Sequence, residues 1–119
     1  MALPGRVLVV EDESMIAMLV EDMLADLGVA MLGPAADVCT AVHLARTGEF
    51  DFALLDVNLG GEDSFPAADV LNARGLQFAF LTGYGPAGVR PDLRLHPILG
   101  KPIDPDALLH VLSSYRSVH

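Results

Sequence analysis

The chain has 119 residues, 52% of them hydrophobic and 19% charged, which suits one globular domain and excludes a disordered segment. Its formal net charge of −9 argues against general binding to a nucleic-acid backbone, where lysine and arginine make the contacts. The start Met1-Ala2-Leu3-Pro4-Gly5-Arg6 is no signal peptide, no apolar stretch nears the roughly 20 residues that span a bilayer, and the sole cysteine, Cys39, allows no internal disulfide.

Val7-Leu8-Val9-Val10 is a short apolar run ended by Glu11-Asp12, the pattern of a fully buried strand. Residues 14–27 then place Ile16, Leu19, Val20, Met23 and Leu27 on one helical face, and Met15, Met18 and Met23 are expected to pack. Gly28 closes that helix. Val29 to Leu32 reads as a second strand closed by Gly33-Pro34, and residues 36–47 as a helix stopped by Gly48, with Cys39 as an inert core residue. Phe52 to Leu55 forms a third strand leading to Asp56, followed by a polar, glycine-bearing loop from Asn58 to Ser64.

Pro66 sits in the first turn of a third helix closed by Gly75. A fourth strand, Phe78 to Leu81, ends at Thr82. Gly83, Gly85, Pro86, Gly88 and Pro91 then make any fourth helix short or irregular. Pro97 to Gly100 is a fifth strand leading to Lys101. Asp104 as N-cap and Pro105 at the first position open the final helix through Leu108, Leu109 and Leu112. His43, His96, His110 and His119 are scattered without ligand spacing, and surface or partial-core roles are expected of them.

Alternation of strand and helix from end to end implies an α/β fold with a parallel sheet and helices on both faces. A doubly wound five-stranded sheet of order 2-1-3-4-5, flavodoxin-like, binds its ligand beyond the carboxyl ends of strands one and three, where the winding reverses. Glu11, Asp12 and Asp56 fall there. Three carboxylates in a partly dry site repel, and a cation removes the conflict. Oxygen ligands without cysteine or histidine suit Mg²⁺ or Mn²⁺, held by Asp12 and Asp56 directly and by Glu11 through water. Asp56 is then a candidate nucleophile toward phosphorus, with Lys101 and the Thr82 hydroxyl receiving phosphoryl oxygens. Lys101 is the only lysine beside six arginines, and a compact ammonium differs from a guanidinium fork chiefly in tight sites.

Val-Val-Glu11-Asp12-Glu13, Leu-Leu-Asp56-Val-Asn58-Leu, Leu-Thr82-Gly and Lys101-Pro102 together resemble the receiver domain of two-component response regulators, over essentially the whole chain. The resemblance implies phosphorylation of Asp56 by the phosphohistidine of a sensor histidine kinase or phosphotransfer protein. It also implies Mg²⁺ on Asp12, Asp56 and the main-chain carbonyl of Asn58, Glu11 supporting the metal shell, and a cis bond before Pro102. A single stand-alone receiver over 1–119 without an output domain is expected. Such a protein would be cytoplasmic, not an enzyme beyond its own phosphorylation and dephosphorylation, and would switch a downstream protein or relay or drain phosphate.

Phe80-Leu81-Thr82-Gly83-Tyr84-Gly85 and Asp56-Val-Asn-Leu-Gly-Gly further resemble a Phe-Ala-Thr-Gly subgroup of single-domain receivers, which implies a kinase of the HWE/HisKA2 type. The chain departs from the family at Ile98, where receivers usually carry a switching Tyr or Phe, and at Ile103. Tyr84 is the candidate mobile aromatic, in a segment 83–91 that would order on phosphorylation. Three other readings exist on this pattern. A haloacid-dehalogenase-like phosphatase would open with Asp-x-Asp and place its metal acids last. A phosphate-independent pseudo-receiver would lack this intact acid, hydroxyl and lysine set. A flavin-binding protein would not offer Glu-Asp-Glu to a phosphate.

Overall fold

A computed structural model describes residues 3–116; His119 lies outside them. The elements run β1 (Arg6–Val10), α1 (Ser14–Asp26), β2 (Ala30–Ala35), α2 (Val38–Thr47), β3 (Phe52–Asp56), β4 (Asn58–Leu59), β5 (Glu62–Asp63), α3 (Phe65–Ala73), β6 (Gln77–Thr82), β7 (Ile98–Gly100) and α4 (Pro105–Ser113). Five strands form one parallel sheet in the order β2-β1-β3-β6-β7, while β4 and β5 make a separate antiparallel hairpin. With the hairpin set aside, the order is the expected 2-1-3-4-5.

Side chains of a strand alternate between faces, and this sheet is apolar on both. Leu8, Val10, Ala53, Leu55, Phe78 and Phe80 pack with Ala41 and Ala45 of α2 and Ala67, Ala68 and Leu71 of α3. Their neighbours Val7, Val9, Phe52, Leu54, Ala79 and Leu81 pack with Val20 and Leu24 of α1 and Leu108, Val111 and Leu112 of α4. Each fully buried Leu or Phe contributes roughly 1.5–3 kcal/mol through the water it sheds. The central strands β1, β3 and β6 are therefore fixed from both sides, and so are the polar residues at their tips.

Several local expectations change. The second strand does not stop at Gly33-Pro34 but continues through a cis bond there to Ala35. As an edge strand it tolerates the missing proline N–H. Gly33 has φ +102, and a Cβ there would lie 2.7 Å from the Val9 carbonyl oxygen, so only glycine lets the edge approach β1 this closely. The second helix begins at Val38 rather than residue 36, because the Asp37 side chain caps it through the Thr40 amide at 2.7 Å. Cys39 is exposed, not core. Helix α1 presents Ala17, Val20 and Leu24 to the sheet, which leaves Met15, Met18 and Leu19 exposed and Met23 partly buried. His96 is partly buried and stacks on Phe78 with ring centroids 3.8 Å apart, and His43 and His110 are exposed, as expected. No helix of the described residues is long and apolar enough to cross a membrane.

The crossover from β6 to β7 contains only two 3₁₀ turns, Gly85–Gly88 and Pro91–Leu93. Its two halves are held differently. The first turn buries nothing, and Tyr84 before it is 82% exposed. The second half is anchored by buried Val89 and Leu93 and by Arg90, whose guanidinium pairs with Asp69 of α3 and with Asp92 and lies 5.8 Å from the Phe65 ring. Burial and pairing determine local opening. Native-state amide exchange should therefore run faster across 83–88 than across 89–94, and Arg90→Ala should narrow the difference. Equal protection of the two halves in the wild type would contradict this division.

Candidate functional site

The carboxyl ends of β1, β3 and β6 open into a cavity of about 460 Å³ lined by Asp12, Asp56, Asn58, Thr82, Tyr84 and Lys101 among others. Each residue is delivered by an element already fixed in the core. Glu11 and Asp12 follow β1, Asp56 ends β3, Thr82 ends β6 and Lys101 follows β7. Parallel pairing sets these tips level: Asp56 is opposite Leu81 and Thr82 opposite Gly100. The Lys101 amide donates to the Thr82 carbonyl oxygen at 3.1 Å, extending the ladder to the lysine itself. The bond from Lys101 to Pro102 is cis.

One ammonium faces the acids. Lys101 Nζ lies 3.1 Å from Asp56 Oδ2 and 3.1 Å from Glu11 Oε2, with Glu13 Oε1 at 4.0 Å. Glu11 and Asp56 are buried, while Asp12 is exposed at the mouth. Burial and then the Asp56 charge push the Glu11 carboxyl from 4.5 up to about 7, while Lys101 pulls the other way. Burial works against the Lys101 ammonium, but its hydrogen bonds to Asp56 and Glu11 leave its pKa above the ordinary lysine value.

Carboxylate oxygens of Glu11, Asp12 and Asp56 come within 4.8 Å of one another. Glu11 Oε2, although near the ammonium, is buried without a hydrogen-bond partner among the described residues. Three carboxylates gathered this closely, with one ammonium among them, fit a hard cation or its bound water. Thr82 is buried, and its Oγ accepts from the Tyr84 amide at 3.0 Å, leaving the hydroxyl proton free to donate into the cavity.

All the residues expected from the sequence thus meet at one rim, and Asn58 lines it as well. The Asn58–Ser64 loop is more ordered than its polar composition suggested. It forms the β4–β5 hairpin around Gly60 and Gly61, and the Gly60 amide donates to Asp12 Oδ2 at 3.0 Å. The Gly-Gly pair was the available signal for that turn. Ile98 is partly buried against the core on the α2–α3 side, and Ile103 is buried on the other, so neither lies free to swing. Tyr84 is the exposed aromatic beside the cavity.

Comparison with known proteins agrees with this fold. Residues 7–113 match the family model described as the response regulator receiver domain. The solution structure of SdrG from Sphingomonas melonis Fr1 is 39% identical and superposes with TM-score 0.84, covering 95% of this chain and 97% of that one. The BeF3-activated conformation of SdrG, from Pseudomonas melonis Fr1, is also 39% identical, with TM-score 0.78 over the same shares. The transcriptional regulatory protein PdtaR of Mycobacterium tuberculosis is 36% identical over 73 residues, 61% of this chain but only 36% of PdtaR.

Loss of the ammonium should expose the cost of the buried acids. Lys101→Met should lower unfolding stability in divalent-free buffer by roughly 2–4 kcal/mol, toward the low end for a broken buried pair because the lysine is partly exposed. Adding Glu11→Gln should recover most of that loss in urea titrations. A Lys101→Met protein as stable as the wild type would show that the pair is not holding these acids.

Proposed function

The chain belongs to the response regulator receiver domain family, and from that membership we propose that it accepts a phosphoryl group on Asp56 from the phosphohistidine of a sensor kinase or phosphotransfer protein. The observation that carries the reading is the placement of Lys101 Nζ 3.1 Å from Asp56 Oδ2 at a rim shared with Glu11, Asp12 and Thr82. Lys101 pairs equally closely with Glu11, but of these two buried acids it is Asp56 that lines the cavity beside Thr82. Glu11 and Asp12 adjoin Asp56 beyond β1, on the side of β3 away from β6 and Thr82.

In this reading a carboxylate oxygen of Asp56 attacks phosphorus, the bond to the donor histidine breaks, and the imidazole leaves with the electron pair. Lys101 moves its ion pair from the carboxylate to one phosphoryl oxygen. Thr82 Oγ donates to another, since its lone pairs, not its proton, are engaged by Tyr84. Asp12, Asp56 and the Asn58 carbonyl would hold Mg²⁺ or Mn²⁺, with Glu11 touching its bound water. The metal would neutralise charge on the incoming phosphoryl group. Catalysis here is positioning and charge compensation, and the protein does not turn over a separate substrate.

The BeF3-activated state reported for SdrG supports a switch of this kind in a chain of nearly the same extent. The runs Phe80-Leu81-Thr82-Gly83 and Asp56-Val57-Asn58-Leu59-Gly60-Gly61 support the subgroup whose kinases are of the HWE/HisKA2 type. With Ile98 in place of the aromatic switch, the loosely held half of the crossover, residues 83–88 with exposed Tyr84, is where the phosphorylated state would be read. A downstream protein would read it there.

Incubation with acetyl phosphate and Mg²⁺ should add one phosphoryl mass to the wild type and none to Asp56→Asn, and omission of the metal should abolish labelling. Equal labelling of both proteins would move the acceptor elsewhere. Steady release of phosphate from monoesters would instead favour a phosphatase of the haloacid-dehalogenase type.

A further inference from the structure

We propose that the hairpin turn at Gly60-Gly61 positions Asp12, its Gly60 amide holding that carboxylate aimed at the acidic cluster before any cation arrives. The inference rests on the proposed function and assigns a role to residues that lend no side chain to the site. Asp12 is exposed, follows the end of β1 and is repelled by Glu11 and Asp56, so left alone its side chain would turn toward water. Its one hydrogen bond among the described residues comes from Gly60, 48 positions along the chain, to Oδ2 at 3.0 Å. A carboxylate so held keeps its other oxygen for a metal.

The hairpin is built to hold that amide still. Asn58 pairs with Asp63 and Leu59 with Glu62, and Leu59 is buried in the core beneath. Asn58 Oδ1 accepts from the Gly61 amide at 2.9 Å. Gly60 and Gly61 have φ of +59 and +94, both in the left-handed region that a tight two-residue turn between antiparallel strands requires. A Cβ at Gly60 would meet nothing within 4 Å. Backbone conformation alone, not space, therefore favours glycine there, and the position can be tested without a steric clash. An acid already oriented need not be ordered when the cation binds, which raises affinity.

Two substitutions separate conformation from every other effect. Gly60→Asn keeps the amide and a residue that tolerates left-handed backbone, so Mg²⁺ affinity by calorimetry should stay within about twofold of wild type. Gly60→Val keeps the amide too, but a β-branched side chain disfavours that backbone, and affinity should fall roughly tenfold. In the metal-free wild type the Gly60 amide should be protected from exchange and lose that protection in Asp12→Ala. Wild-type affinity in Gly60→Val, or an unprotected Gly60 amide in the wild type, would overturn the positioning role alone. A protected amide in a wild type that binds no Mg²⁺ would overturn the proposed function and this role with it.

Discussion

Mutual repulsion among Glu11, Asp12 and Asp56 is the constraint around which the upper rim of this molecule is arranged. With oxygens within 4.8 Å of one another, each ionised pair opposes the others by roughly 3–4 kcal/mol at an effective dielectric near 20. Two of these acids are buried, so water screens them poorly. The sheet brings them together regardless, because the apolar residues before them are locked from both faces. Compensation comes from donors at four points: the Lys101 ammonium beyond β7, the Gly60 amide of the hairpin, the Glu13 amide on Glu11 Oε1 at 3.2 Å and the Asn58 amide on Asp56 Oδ1 at 3.3 Å.

Those four donors differ in what they can give up. The backbone amides are fixed by the turns that carry them, whereas the lysine is a flexible stem with one mobile charge. A phosphoryl group arriving on Asp56 would take the lysine and leave the amides in place. The proposed function thus couples stability and chemistry through one side chain. The β6–β7 crossover adjoins this exchange, because the Tyr84 amide rests on Thr82 Oγ, the atom proposed to meet a phosphoryl oxygen. Beyond residue 88 the anchoring by Val89, Arg90 and Leu93 confines any such disturbance to a short stretch.

Much of this was legible in the sequence because both signals involved are short-range. Four-residue apolar runs ending in polar residues identify buried parallel strands, and parallelism alone brings Glu11, Asp56, Thr82 and Lys101 to one rim. Asp104 and Pro105 similarly mark the last helix, whose cap the structure places on the Ala107 amide at 3.1 Å. What escaped depends on partners distant in sequence. Pro34 reads as a strand terminator until it is known to lie on an edge, where no neighbour needs its N–H. The periodicity of α1 admits Leu19 to the inward face, but the sheet meets Ala17, Val20 and Leu24, a face rotated away from Met15, Met18 and Leu19. Cys39 looked internal by residue type and lies on the outward side of α2. The hairpin's contact with Asp12 spans 48 residues, and no local pattern states it.

Diffraction from crystals grown with Mn²⁺, read at the manganese absorption edge, tests the central claim most directly. A single anomalous peak within coordination distance of Asp12, Asp56 and the Asn58 carbonyl, with Lys101 still on Asp56, is the predicted result. A manganese peak elsewhere, or none at that rim, would contradict the account.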